Sequence, residues 1–235
     1  MENSVELLGY YGSDQVHAQS AWTSTSRDLT EDKISRIPKL LLMLASEGHH
    51  TPFEKSQLHF LVNVDQATHI HLLKHRIGVS INGESARYKE LKEDKTYIPQ
   101  DWKGIPSSEE LFIHDEDADT NSDGGELSWK KGTHWASILQ DYTEIGNYLY
   151  HSALKDLEPV VGRKRAKESA RFFKTMNSQI TLDISFNWRS FAHFQGLRNS
   201  EHAQVEVRDI ARKMLDLVKN IEGNPFENTI KAFKL

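Results

Sequence analysis

The sequence has 235 residues, of which 37% are hydrophobic and 27% are charged, and it contains no cysteine. This length and composition are typical of a globular protein rather than a disordered or membrane protein. The missing thiols exclude disulfides, zinc–thiolate sites and thiolate nucleophiles. The net charge of -5 argues against a protein that coats nucleic acid, and no apolar run reaches the roughly 20 residues of a membrane span.

The first residues lack the basic segment and the apolar segment of a signal peptide. Together with the absence of cysteine, this favours a cytoplasmic protein.

The first third of the chain predicts alternating strands and helices. Residues 5–11 predict a short strand, and residues 14–23 predict a helix. Residues 30–47 predict a second helix that Thr30 caps and Gly48 ends.

The following segment predicts a strand, a helix and a loop. Residues 56–64 alternate in polarity, which predicts a strand with Leu58 on its apolar face. Asp65 is expected to cap a helix that extends to about residue 76. Residues 78–87 have no helical period and contain Gly, Ser and Asn, so they predict a loop.

The second half of the chain is mainly helical. Residues 101–132 look least ordered and predict a surface insertion. Helices are predicted over residues 133–157, 163–173, 187–197 and 200–221, and a strand over residues 177–186. Helices outnumber strands and do not alternate regularly with them, which favours an α+β fold. No segment has the composition of a linker, so residues 1–235 are expected to form a single domain.

Six of the twelve histidines lie in residues 49–75. His71 and His75 are four residues apart on a predicted helix, a spacing that can bind zinc. A metallohydrolase needs a general base near position 72, where the chain has Leu72, and Lys74 would repel a dication. Polar histidines on a partly exposed helix are therefore favoured, and no metal is expected.

An acidic run over residues 114–126 has the ligand spacing of a calcium loop, with Asp115, Asp117, Asp119, Asn121, Asp123 and Glu126 at the ligand positions. Thr120 occupies the position where the sharp turn of such a loop requires glycine. A solvated surface loop is favoured.

The strongest candidate site is the segment from Lys74 to Arg87. The end of a helix would deliver Lys74, His75 and Arg76 into a donor-rich loop, in which Gly78 and Gly83 allow backbone N–H groups to approach a ligand. The polar side chains of this loop are Ser80, Asn82, Ser85 and Arg87. The residues alone leave two interpretations open, a ligand-binding loop or a polar surface.

This segment resembles the signature of the flavin-dependent thymidylate synthases, in which Arg-His-Arg is followed after seven or eight residues by Ser-x-Arg. Eight residues separate Arg76 from Ser85. Three further blocks and an Ala-Arg pair resemble the same family in the same order. They are Gly48-His49-His50-Thr51-Pro52-Phe53-Glu54, Ala170-Arg171, Asn187-Trp188-Arg189-Ser190-Phe191 and Leu197-Arg198 with His202-Ala203-Gln204-x-Glu206-Val207.

The resemblance implies a central mixed α/β sheet flanked by helices, in a homotetramer whose active sites are shared between subunits. It also implies the reductive methylation of dUMP to dTMP, with FAD as tightly bound cofactor, NADPH as reductant and methylenetetrahydrofolate as carbon donor.

By position, the resemblance assigns FAD binding to Thr51, Lys74, His75, Arg76, Asn82, Asn187, Arg189, His193 and His202. It assigns the binding of dUMP and its phosphate to His71, Lys74, Ser85, Ala86, Arg87, Arg171 and Arg198. Arg189 and His193 are four residues apart, so one helix face can present both.

Arg198 is the residue expected to act in the chemistry. It precedes Ser200, which is expected to cap the next helix, and a fixed guanidinium there would stabilise negative charge on a polarised uracil. A hydride from reduced flavin would take the place of the cysteine nucleophile that this chain lacks.

Four positions depart from the family pattern. Lys74 replaces the first Arg of the signature, and His71, Gly83 and His193 stand where Gln, Glu and Asn are common. Because the resemblance implies that each of these positions faces a ligand, two alternatives stay open: a relative that hydroxymethylates the pyrimidine, and a catalytically silent protein that binds nucleotide or flavin.

Overall fold

The computed structural model describes residues 1–85, 87–113 and 127–235. The chain divides into two compact units. We call Asn3–Glu84 with Gln179–Leu235 the sheet unit, and Met1–Glu2 with Ser85–Ser178 the helical unit. The single domain expected from the sequence stays a prediction.

The described strands are β1 (Ser4–Tyr11), β2 (Gln57–Asp65), β3 (Val79–Gly83), β4 (Leu111–Ile113), β5 (Leu127–Trp129) and β6 (Gln179–Phe186). The described helices are α1 (Asp14–Trp22), α2 (Glu31–Ser46), α3 (Gln66–Leu73), α4 (Trp135–Val161), α5 (Arg163–Ala170), α6 (Trp188–Arg198), α7 (Val205–Lys219) and α8 (Glu227–Phe233). This content confirms a helix-rich fold of mixed α and β elements. Within the described ranges, no helix combines the length and the apolar character needed to cross a membrane.

The sheet unit is built on four strands in the order β1-β2-β6-β3. Every neighbouring pair is antiparallel, so the predicted mixed sheet is wrong in this respect. Leu58 and Phe60 on β2 and Ile184 on β6 are fully buried on one face, as the alternation of residues 56–64 predicts. Together with apolar residues of α2, α6 and α7, this face forms the main core.

The register of the sheet brings separate parts of the sequence to one edge. Phe186, the last residue of β6, is opposite both Leu58 near the start of β2 and Val79 at the start of β3. The residues just before β2, just before β3 and just after β6 must therefore lie close together. These residues are three of the blocks that carry the family resemblance.

The loop predicted over residues 78–87 is wrong in its first part, because Val79–Gly83 is strand β3. Val79 and Ile81 pack against the core, whereas Ser80 and Asn82 are exposed. This two-residue alternation is the strand signal. The glycines and polar residues around it obscured the signal in the sequence.

Two helical boundaries also differ from the predictions. Ser200 does not cap a helix, because its hydroxyl accepts from the N–H of His202 within a turn. The helix α7 begins five residues later, at Val205. Arg198 is the last residue of α6 rather than part of the turn itself, and α8 was not predicted.

The helical unit is formed around the long helix α4. Tyr150 and Leu154 of α4 pack with Ala166 and Ala170 of α5 in a small buried cluster. Within the segment 101–132, the strands β4 and β5 form a short antiparallel pair. The acidic run at residues 114–126 lies outside the described residues, so neither interpretation of it is tested.

Gly78 makes the junction between α3 and β3 possible. It has a φ of +65°, and a Cβ atom there would lie 2.3 Å from both Asn187 Nδ2 and Ser190 Oγ. Its carbonyl accepts from the Asn187 N–H at 3.1 Å. Only glycine allows the segment before β3 to approach the start of α6 this closely.

We expect Gly78→Ala to lower the free energy of unfolding by more than Gly48→Ala. Gly48 has a similar φ of +74°, but a Cβ there meets nothing within 4 Å. Both variants should lose about 1–2 kcal/mol for the left-handed backbone, and only Gly78→Ala should add the cost of the clash. Urea unfolding followed by circular dichroism measures both, and equal losses would contradict the close approach.

Candidate functional site

A pocket of about 560 Å³ opens at this edge of the sheet unit. Its volume is in the range of small-molecule sites. The pocket is lined by His50, Lys74, His75, Arg76, Ile77, Val79, Arg189, Ser190, Ala192, His193 and Phe233.

Three of the five lining residues that the resemblance assigned to a cofactor are cations. Lys74 and Arg76 follow the end of α3, and Arg189 is in the first turn of α6. Arg189 donates to Glu54 at 2.5 Å, but Lys74 and Arg76 have no acidic partner in the part of the chain that the structure describes. No carboxylate is among the described lining residues. The pocket is thus suited to an anion.

The rest of the lining is apolar or aromatic. Ile77 and Val79 flank the Gly78 junction, and Ala192 and Phe233 come from α6 and α8. Cations beside apolar surface match a ligand that carries both phosphate groups and flat ring systems.

His75 lies among these cations but is itself uncharged at neutral pH. Burial, together with electrostatic interactions with Arg198, His193 and His71, lowers its pKa to about 4. Its ring also packs edge-on against Phe194 at 5.0 Å. At neutral pH the imidazole is therefore a hydrogen-bonding group and not a further positive charge.

Arg198 is held by this neutral imidazole. Its Nε donates to His75 Nε2 at 3.0 Å, which places the ring proton on Nδ1. An acidic partner would neutralise the guanidinium, whereas His75 fixes it and leaves its charge in place. Arg198 has no acidic partner among the residues described.

The Nε2 atoms of His71 and His75 are both engaged in hydrogen bonds within the chain. His71 Nε2 contacts Gln204 Oε1 at 2.9 Å, and His75 Nε2 accepts from Arg198. No cluster of three or more possible metal ligands occurs in the described ranges.

Four other predicted cofactor residues are not among the lining. Thr51 opens a short 3₁₀ helix, and Asn82 lies on β3, 3.5 Å from Asp183. Asn187 caps α6 by accepting from the Ser190 N–H at 2.8 Å. His202 is exposed in the turn before α7.

Three further predicted substrate residues, Ser85, Arg87 and Arg171, belong to the helical unit. Arg87 Nε donates to Glu168 at 2.6 Å, the Ser85 carbonyl accepts from two following N–H groups, and Arg171 is exposed at the end of α5. Ala86 lies outside the described residues.

Sequence reasoning did not assign six lining residues to the site, which are His50, Ile77, Val79, Ser190, Ala192 and Phe233. All of these except Phe233 lie beside or within the segments that carry the resemblance, so their position was a usable signal. Phe233 had none, because the helix α8 that carries it was not predicted.

A family model described as thymidylate synthase complementing protein matches residues 6–222. This chain belongs to that family. The match covers the pocket residues contributed by α3, β3 and α6, but it ends before α8.

Relatives named flavin-dependent thymidylate synthase are similar to this chain over most of its length. The protein of Gluconobacter oxydans is 28% identical over 92% of this chain and 66% of its own length. Those of Kosmotoga olearia and Pseudothermotoga lettingae are each 28% identical, over 92% and 97% of this chain and 85% and 90% of their own lengths. The chain thus spans just under two thirds of the Gluconobacter protein.

The fold is similar to that of a UMP/dUMP methylase, PolB from Streptomyces cacaoi, in a crystal structure with 5-Br UMP. The TM-score is 0.69 at 22% identity, over 99% of this chain and 94% of the other.

The state of His75 predicts a pH dependence of stability. Its folded-state pKa of about 4 lies below the usual 6.5, so between these values the unfolded chain binds a proton that the folded chain does not. The free energy of unfolding should therefore fall as the pH drops from 6.5 towards 4. We expect His75→Gln, which keeps an acceptor for Arg198, to show a shallower fall.

Urea unfolding at a series of pH values measures this slope. In His75→Gln the free energy of unfolding should still fall somewhat as the pH drops. Burial lowers the pKa of His17 to about 3, and that residue is unchanged in the variant. Identical slopes for the variant and the unsubstituted protein would contradict the assignment of His75.

Proposed function

We propose that this protein is a flavin-dependent thymidylate synthase that converts dUMP to dTMP. The observation that carries the proposal is the pocket of the sheet unit. There Lys74, His75, Arg76, Arg189 and His193 meet in a chain that belongs to the family, and Arg198 is hydrogen-bonded to one of them.

The pocket has the properties that FAD requires. FAD carries two phosphate groups and two flat ring systems, and the lining combines Lys74 and Arg76 with the apolar side chains of Ile77 and Val79. These residues, with Arg189 and His193 on α6, would hold the cofactor. When bound and reduced by NADPH, FAD would supply the hydride of the reaction.

Arg198 is the residue we propose for the chemistry on dUMP. Negative charge develops on the uracil ring as it becomes polarised, and a fixed cation stabilises that charge without having to reorganise. His75 supplies the fixation, since its neutral ring accepts from Arg198 Nε and leaves the other guanidinium nitrogens to face a substrate. The sequence has no cysteine to attack the ring, in agreement with a reaction that needs none.

The remaining substrate assignments rest on the family resemblance. We propose that dUMP is bound by the residues that the resemblance assigns to it, which are His71, Lys74, Ser85, Ala86, Arg87 and Arg171. Methylenetetrahydrofolate would be the carbon donor. The resemblance also assigns FAD binding to four residues outside the pocket lining, and we propose this role for Thr51, Asn82, Asn187 and His202.

We also propose a homotetramer with shared active sites. Large apolar side chains are exposed in both units, among them Ile77 at 89%, Val160 at 81% and Phe172 at 79%. Association of subunits would cover such side chains and so supports the proposal. The cytoplasmic location stays a prediction from the sequence.

An assay with dUMP, methylenetetrahydrofolate, NADPH and FAD tests the function, with products separated by mass. Formation of dTMP is the expected result. A product heavier by one oxygen would instead indicate the hydroxymethylating relative, and flavin binding without a product would indicate the silent one. A purified protein that takes up no flavin on titration would overturn the proposal as a whole.

We expect Arg198→Ala to lower kcat by roughly 10²–10³-fold, the usual effect of removing a group that stabilises transition-state charge. The visible absorbance of bound flavin should be retained, since Arg198 is proposed to act on the substrate. Arg212→Ala is the matched control, because Arg212 pairs with Asp209 on α7 and does not line the pocket. Full activity in Arg198→Ala would refute the role of Arg198.

A further inference from the structure

Within the sheet unit, the first turn of helix α8 is anchored to helix α1. The carboxylate of Asp14, on α1, accepts from the backbone N–H groups of Asn228 and Thr229 at 2.8 and 2.9 Å. It also accepts from the side chains of the same two residues. A buried carboxylate on the first N–H groups of a helix both satisfies those donors and opposes the helix dipole.

A second set of contacts extends this attachment into the core. Thr229 donates its hydroxyl proton to Asp14, so its oxygen accepts from Nδ1 of the fully buried His17 at 3.0 Å. His17 Nε2 contacts the Ser56 hydroxyl at 2.8 Å, just before β2. The position of α8 is therefore fixed by side chains of α1 and of the segment that leads into the sheet.

The last residue of α8 is Phe233, and it lines the pocket. Its ring meets the ring of Phe53 edge-on, with centroids 4.8 Å apart, and the ring of His50 lies 5.3 Å away. Phe53 is fully buried, whereas Phe233 and His50 are only partly buried. The ring of Phe233 is thus held by the core and keeps exposed surface towards the pocket.

We propose that Phe233 is a flavin-contacting residue, and that α8 supplies an aromatic wall of the FAD site. This inference rests on the proposed function and names a residue beyond the part of the chain that the family model matches. The chemical groups of FAD agree with this assignment. Lys74 and Arg76 provide positive charge for its phosphates, and its flat ring systems need an aromatic or apolar surface to pack on. Stacking on an aromatic side chain supplies such a contact.

A purely structural role for Phe233 predicts a different effect of substitution on FAD affinity than a contact with the flavin does. Leucine retains apolar packing against Phe53 but has no aromatic face, and tyrosine retains the face. If the ring only fills space beside Phe53, leucine should bind FAD as well as phenylalanine does. If the ring contacts the flavin, only an aromatic residue should restore affinity.

The test is titration of FAD against flavin-free protein, followed by quenching of flavin fluorescence, for Phe233→Leu, Phe233→Tyr and the unsubstituted protein. We expect about tenfold weaker FAD binding for Phe233→Leu and a change of less than about threefold for Phe233→Tyr, tenfold being the effect of ~1.4 kcal/mol. Lys231→Ala, on the same helix but exposed and paired with Glu227, should bind FAD unchanged.

Thermal unfolding of each flavin-free variant shows whether α8 has kept its place. Weaker binding by Phe233→Leu at an unchanged Tm, with recovery in Phe233→Tyr, supports the contact. Equal FAD affinity in all variants, or a loss in Phe233→Leu that follows a lowered Tm and that tyrosine does not restore, overturns it. Absence of FAD binding by the unsubstituted protein would instead overturn the proposed function.

Discussion

The site depends on one feature of strand pairing, the position of Phe186 between Leu58 and Val79. The side-chain period of a strand is two residues, so a shift of one residue would move the buried face of β6 to the surface. The apolar face therefore fixes the register, and the register in turn fixes which residues meet at the edge of the sheet. Residues around positions 50, 76 and 189 come together as a consequence of core packing, before any ligand is considered.

The positive charge at the site depends on which side chain pairs with each arginine. Arg189 is paired with Glu54, whereas Arg198 is paired with an imidazole that burial keeps neutral. A carboxylate in the place of His75 would hold Arg198 equally well, but it would cancel the positive charge of the guanidinium. The neutral histidine thus positions the Arg198 guanidinium without neutralising it. This explains why a basic segment contains a residue that adds no charge.

The sequence predicted the parts of the fold that follow local rules. The caps Thr30 and Asp65 and the alternation of β2 are local patterns, and the structure has helices and a strand where these patterns predict them. The strand β3 was missed because only Val79 and Ile81 carry its pattern. The helix α8 was missed because its first N–H groups are satisfied by Asp14, more than 200 residues earlier in the chain. The resemblance found five lining residues but not Phe233, whose contribution depends on that same distant contact.

The departure at Lys74 has a physical basis in the fold. Lys74 is the C-cap of α3, and its backbone N–H contacts the carbonyls of His71 and Leu72. The end of a helix carries partial negative charge, so a cation of either type is favoured at this position. The backbone therefore favours positive charge without distinguishing a guanidinium from an ammonium, whereas a bidentate contact with a ligand needs the guanidinium. With lysine, this chain retains the charge and gives up the bidentate geometry, while Arg76 and Arg189 retain guanidinium groups in the same pocket. In the proposed function, these two arginines would supply the bidentate contacts to a phosphate or a ring carbonyl, and the lysine would change how a ligand is oriented more than whether it is attracted.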